Sequence, residues 1–120
     1  MTRTILIVSE GGDLATALGG HAVTLVRADD AVAVLGDGCP DLVVVDGRRS
    51  VDVAIDFVDR LRHAWKTCSA EVAIVVATDA CATAAREALG GRTAVVVDPF
   101  SLERLEQAES AFSLRARAAR

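Results

Sequence analysis

The stretch "GGRTAVVVDPFSLERL" (residues 90–105) holds a glycine stop, a β-branched run, a turn at Asp98-Pro99 and the opening of a helix. The run at 93–97 is continuously apolar instead of alternating with period two, which marks a strand buried on both faces. Working outward, the same kind of run recurs as "TILIV" (4–8), "AVTLV" (22–26), "DLVVV" (41–45) and "VAIVVA" (72–77). Candidate helices lie between them. "DLATALGG" (13–20) has Asp13 as a prospective N-cap and a glycine stop, "DDAVAVLGDG" (29–38) repeats that plan, and "ATAAREALGG" (82–91) ends in the same Gly-Gly punctuation. The longest, 50–66, puts Val51, Ile55, Val58, Leu61 and Trp65 on one stripe, and a last helix begins near Ser101. Strands alternating with helices imply a parallel sheet covered on both faces through right-handed crossovers, a three-layer doubly wound α/β domain.

Composition sets the outer limits. The 120 residues give room for one domain, 1–120, and 52% hydrophobic residues suffice for one core. A net charge of −4 argues against a bulk nucleic-acid or membrane-surface binder. The opening "MTRTILIVSEGGD" has an apolar run too short for a signal peptide or a membrane span, so a cytoplasmic protein is expected. Cys39, Cys68 and Cys81 show no metal-ligand spacing and read as small core residues. The tail at 114–120 reads as a solvated helix end or as the start of a connector to an output domain outside this chain.

In an open parallel α/β sheet, chemistry gathers beyond the carboxyl ends of the strands. Ser9 and Glu10 follow strand one, Asp46 strand three, Thr78 and Asp79 strand four, and Asp98 strand five, while Arg27 ends strand two away from the expected centre. Hard oxygen ligands suit Mg²⁺ or Ca²⁺, and a lone carboxylate can accept a phosphoryl group. "EGGD" after strand one lacks the spacing of a nucleotide-binding glycine loop. No base-plus-nucleophile pair or cofactor fingerprint points to an independent metabolic enzyme. His63 reads as a surface partner of Asp59, one helical turn away.

With these residues in place, the whole chain resembles the receiver domain of two-component response regulators. "PDLVVVD" (40–46) resembles the family's third strand, with Asp46 as phosphoacceptor. "VVATD" (75–79) resembles its fourth, with Thr78 as switch residue, and "VVVDPFSLERL" (95–105) its fifth strand and final helix. Leu61-Arg62 falls where the family's third helix ends. The resemblance implies a CheY-like fold with five strands in the order 2-1-3-4-5. It also implies a cis bond at Asp98-Pro99, a histidine kinase as prospective partner, and homodimers through the fourth helix, fifth strand and fifth helix. Transcription would be controlled through a DNA-binding output domain not in this chain, and no membrane is involved.

The departures from the family pattern are as informative as the match. Asp98 stands where a receiver has the lysine that contacts the phosphoryl group. The acidic pair after strand one is Ser9-Glu10, so a metal held by Glu10 and Asp46 would be weak Mg²⁺ or none. Val95 replaces the aromatic that accompanies switching, and Arg48 lies within reach of the pocket. An atypical receiver that works without phosphorylation, by dimerisation or by binding a partner or ligand, is therefore expected. The alternatives are a phospho-accepting receiver using Asp46 with Mg²⁺, and a small-molecule-sensing module. For Asp98 three roles stay open: neutralisation, with Asp46 and Glu10, by Arg48 or Arg49; a share in a cation site; or a solvent-facing cap of the next turn.

Overall fold

The computed structural model describes residues 4–9, 13–17, 22–27, 40–64, 71–90 and 93–118. The helix expected at 29–38, together with Glu10, His21, Cys39, Trp65 and Cys68, lies outside these residues. In chain order the elements are β1 (Thr4–Val8), α1 (Asp13–Ala17), β2 (Ala22–Val26), β3 (Leu42–Asp46) and α2 (Val51–Ala64), then β4 (Glu71–Val76), α3 (Asp79–Leu89), β5 (Thr93–Val97) and α4 (Leu102–Ala118). All strand pairs are parallel, and the sheet order is β2-β1-β3-β4-β5.

Successive side chains of a strand point to opposite faces, so a strand covered on both sides must be apolar throughout. The two cores show that division. On one face Leu6, Val8, Val43, Val45, Ile74, Val76 and Val95 pack with Ala54, Val58 and Leu61 of α2 and with Ala82, Ala85 and Leu89 of α3. On the other, Ile5, Ile7, Leu42, Val44, Ala73, Val75, Ala94 and Val96 pack with Leu14 of α1 and Leu105 of α4. The doubly wound α/β reading of the sequence describes this arrangement. On α2 the buried stripe is Ala54, Val58 and Leu61, with Val51 and Ile55 at its partly buried edge.

Element ends differ from the apolar runs where a polar residue can still join the ladder. β3 continues through Asp46, which pairs in register with Val75. α3 begins at Asp79, three residues before the sequence pattern places it, because the Thr78 hydroxyl accepts the Cys81 amide and caps the helix. α4 is capped likewise, with the Ser101 hydroxyl accepting the Arg104 amide at 3.1 Å. The Asp98-Pro99 peptide is cis. His63 Nδ1 lies 2.8 Å from the Asp59 carbonyl oxygen, so the expected pairing on α2 is made mainly to backbone. Among the described residues, no helix is long and apolar enough to cross a membrane.

One polar tie joins the lower ends of three elements. Arg62, near the end of α2, donates to the Leu89 carbonyl at 3.2 Å and to the hydroxyl of buried Thr93. At the opposite rim the buried Gly47 leaves β3, and its amide donates to the Val75 carbonyl at 2.7 Å. A Cβ on Gly47 would meet that carbonyl oxygen and the Ala54 Cβ, each at 3.0 Å. Gly47→Ala is therefore expected to destabilise the fold by about 1–3 kcal/mol through overpacking against backbone. Urea denaturation reads this as a lower midpoint at unchanged slope, and an unchanged midpoint would show that β4 and α2 yield freely.

Candidate functional site

The strand order sends β2 outward from β1 on one side and β4 outward from β3 on the other, so the topological switch point lies between β1 and β3. Ser9 stands at the end of β1 and Asp46 at the end of β3. The Ser9 hydroxyl, on a buried residue, donates to Asp46 Oδ2 at 2.8 Å. Gly47 then turns the chain tightly, which brings Arg48 back over the acid that precedes it.

Arg48 makes three contacts to Asp46. Its amide donates to Oδ1 at 3.1 Å, Nε to Oδ1 at 2.9 Å and Nη2 to Oδ2 at 2.8 Å. With Ser9, these use both oxygens of Asp46 twice, filling the acceptor capacity of a carboxylate. The outer edge of the guanidinium reaches α1, where Nη1 and Nη2 donate to the two carboxylate oxygens of Asp13 at 2.6 and 3.1 Å. Asp98 stands farther out, with Oδ1 4.0 Å from Arg48 Nη1 and a side chain 47% exposed.

The protonation equilibria follow this geometry. Burial pushes the Asp46 carboxyl up, but the hydrogen bonds from the Arg48 side chain, the Arg48 amide and Ser9, with the nearby positive charge, bring it below its ordinary value. Asp13 is lowered chiefly by its hydrogen bond from Arg48. Arg48 is held further above its already high value by its bonds to Asp46 and Asp13. All three groups stay charged at neutral pH.

In this arrangement Asp46 offers a metal ion no oxygen that is not already hydrogen-bonded. Both Asp46 oxygens face a guanidinium, and among the described residues no group of acids, histidines or cysteines converges to hold a metal. Glu10, the other expected ligand, lies outside the described residues. Thr78 is brought to the same rim, where its hydroxyl caps α3. Val95 is buried in the core on the α2 and α3 face. The Asp98 amide donates to the Val76 carbonyl at 2.8 Å, leaving its side chain half exposed beside Arg48.

Asp13 is the site residue that sequence reasoning places elsewhere, as a cap of α1. Its carboxylate takes the guanidinium, since a charge-assisted pair of bonds is stronger than one bond to a neutral amide. The available signal was its place four residues after Ser9, at the start of the first element beyond β1 on the polar rim.

No family model matches the sequence, and no curated protein matches it. Solved structures do. NtrX from Brucella abortus superposes with a TM-score of 0.69 at 23% identity, over 99% of this chain and 29% of that one. A response regulator from Thermotoga maritima gives 0.71 at 21% identity, over 94% and 99%. The chemotaxis response regulator CheY4 of Vibrio cholerae gives 0.69 at 17%, over 93% and 99%. The chain has the fold of a response-regulator receiver domain. It spans less than a third of the length of NtrX. Within the receiver fold, the position that ends the third strand is here an aspartate closed off by its own neighbour two residues on.

Replacing Arg48 by Met keeps the stem and removes the charge, leaving Asp46 partly buried with only Ser9 and the amide at residue 48. Stability near pH 7 should fall by about 1–3 kcal/mol. Both carboxylates titrate lower in the folded protein than in the unfolded chain. Their contribution is therefore complete above about pH 3.9 and is lost as pH falls through the lowered folded values. The gap between wild type and Arg48→Met, read by urea denaturation, should be widest near neutrality and close in acid. A gap independent of pH would show that the carboxylates are not coupled to Arg48.

Proposed function

We propose that the chain is an atypical receiver module in two-component-type signalling that works without phosphorylation of Asp46. It transmits through its surface to a partner or output, transcription being the output expected of a protein of this kind. The observation that carries the reading is the occupation of both Asp46 oxygens by Arg48 and Ser9. A phosphoryl group could be received only after an Asp46 oxygen had been released from Arg48 or Ser9. It would then add nearly two negative charges beside Asp13 and Asp98, where attraction from a lysine is replaced by repulsion. Like charges gathered at one rim oppose one another, which disfavours the transfer, although solvent at the exposed Asp13 and Asp98 screens part of the repulsion.

In this reading Arg48 is a resident counter-ion that holds the pocket in one charge state. The transmitting surface is the α3–β5–α4 side, the fourth helix, fifth strand and fifth helix of the sequence count, through which the module forms homodimers. DNA is reached only through an output domain, the module has no enzymatic activity of its own, and its working compartment is the cytoplasm.

Incubation with a small phosphodonor and Mg²⁺ should leave the intact mass unchanged. A gain of one phosphoryl group that disappears in Asp46→Asn would overturn the proposal and restore a phospho-accepting receiver with a histidine kinase as donor. Sedimentation without phosphodonor should show dimers at high micromolar concentration, and a monomer there would remove dimerisation from the reading.

A further inference from the structure

The guanidinium of Arg48 has two working edges, and they face different elements. Nε and Nη2 donate to Oδ1 and Oδ2 of Asp46 at the end of β3, at 2.9 and 2.8 Å. Nη1, and Nη2 a second time, donate to Oδ2 and Oδ1 of Asp13 at the start of α1, at 2.6 and 3.1 Å. A planar guanidinium carries its N–H groups in a fixed fork, so its seat on one carboxylate sets where the other edge points. Nη2 belongs to both pairs, so a rotation that breaks one pair moves a donor of the other.

The two ends are unequally held. The Asp46 side chain is 17% exposed, and it also takes the Ser9 hydroxyl and the Arg48 amide. Asp13 is 59% exposed, and its neighbour Leu14 is buried in the core with Ile5 and Ile7. An exposed ion pair between two free side chains is worth little, because ordering both of them offsets the attraction. Here Asp46 already orders the arginine, so much of that ordering is in place before Asp13 binds, and the paired geometry adds direction. The contact with Asp13 therefore depends on the contact with Asp46.

We propose that the Asp13–Arg48–Asp46 bridge is a clasp that couples the attachment of α1 to the engagement of Asp46. An event that draws Arg48 off Asp46, such as a partner's anion taking the guanidinium or a group added to the carboxylate, also unfastens the start of α1. Coupling between two contacts is reciprocal, so a partner's cation that takes Asp13 weakens the hold of Arg48 on Asp46 without breaking it. The rim thereby gains an outlet at α1 in addition to the α3–β5–α4 side. The inference rests on the bridge itself and holds whether or not Asp46 accepts a phosphoryl group.

The test is a set of urea denaturations of the whole chain with no phosphodonor present, so its outcome is separate from that of the mass experiment on Asp46. In the wild-type background Asp13→Asn should lower the folding equilibrium constant about fivefold, as the loss of a partly exposed charge-assisted pair. In an Asp46→Asn background the same substitution should cost less than about twofold, because Arg48 is no longer held in place. Arg48→Lys gives a background in which Asp46 keeps its charge and which serves also if Asp46→Asn fails to fold. A lysine is a point charge that cannot fork across two carboxylates, so Asp13→Asn should again cost less than about twofold. A local probe reads the reverse direction. The Arg48 Nε–H bonds to Asp46 and not to Asp13, so its exchange with water, followed by NMR, should quicken severalfold in Asp13→Asn. Asp56→Asn, which removes the exposed partner of Arg60 on α2, should leave that exchange unchanged. Three results would each overturn the clasp: an equal cost of Asp13→Asn in every background; a larger cost in Asp46→Asn, as competition of two acids for one guanidinium would give; or an Nε–H exchange rate that Asp13→Asn moves no more than Asp56→Asn does.

Discussion

Burial of the sheet on both faces is the constraint from which the rest of the molecule follows. Once helices cover both sides, the strand interiors can carry only apolar side chains, and polar groups are displaced to the strand ends. Because the strands are parallel, the ends that precede the helices all lie at one rim. Ser9, Asp46, Thr78 and Asp98 stand there for that reason, although 89 residues separate the first from the last. Their proximity is a product of topology, and the chemistry at the rim depends on which charges the loops bring with them.

In an ordinary open rim, acids crowded together need a counter-charge from outside. Here the loop after β3 supplies one. Arg48, with Ser9, fills the acceptor sites of Asp46 and engages Asp13 with the other side of its guanidinium, so one cation bridges the two acids and offsets part of their charge. The acid at position 98 fits this economy of charge. With Arg48 in the pocket a lysine at 98 would face another cation, whereas Asp98 lies at the weak edge of its field, 4.0 Å away and half exposed. The substitution that looks anomalous along the sequence is consistent with its surroundings in three dimensions.

Much of this was legible in the sequence because it depends on local pattern. Five apolar runs announced the parallel sheet, and position at a strand end announced Ser9, Asp46 and Asp98. Arg48 was recognisable as a cation near an acid two residues away, although the sequence left Arg48 and Arg49 equivalent, and it is the turn at Gly47 that lays Arg48 on Asp46. Asp13 was not legible as a partner, because its contact with Arg48 spans 35 residues and its place at the start of a helix offered a simpler use. The end of β3 was misplaced by one residue for a similar reason. Asp46 is polar, and the hydrophobic pattern stops before it, but the ladder does not. Thr78 shows the converse: its place was evident, while the use of its hydroxyl as a helix cap required the backbone of Cys81.

The two halves of the Arg48 bridge differ in how they respond to loosening. Asp46 and Arg48 are separated by one residue, and that residue is a glycine held to β4, so their contact encloses almost no chain. The contact with Asp13 joins residues 35 positions apart, so it closes a much longer loop of chain. On loop length alone, the contact with Asp13 is the one expected to open first, with Arg48 staying on Asp46. The counter-ion travels with the acid it neutralises, so a partial opening of the rim exposes a pair and not a bare carboxylate.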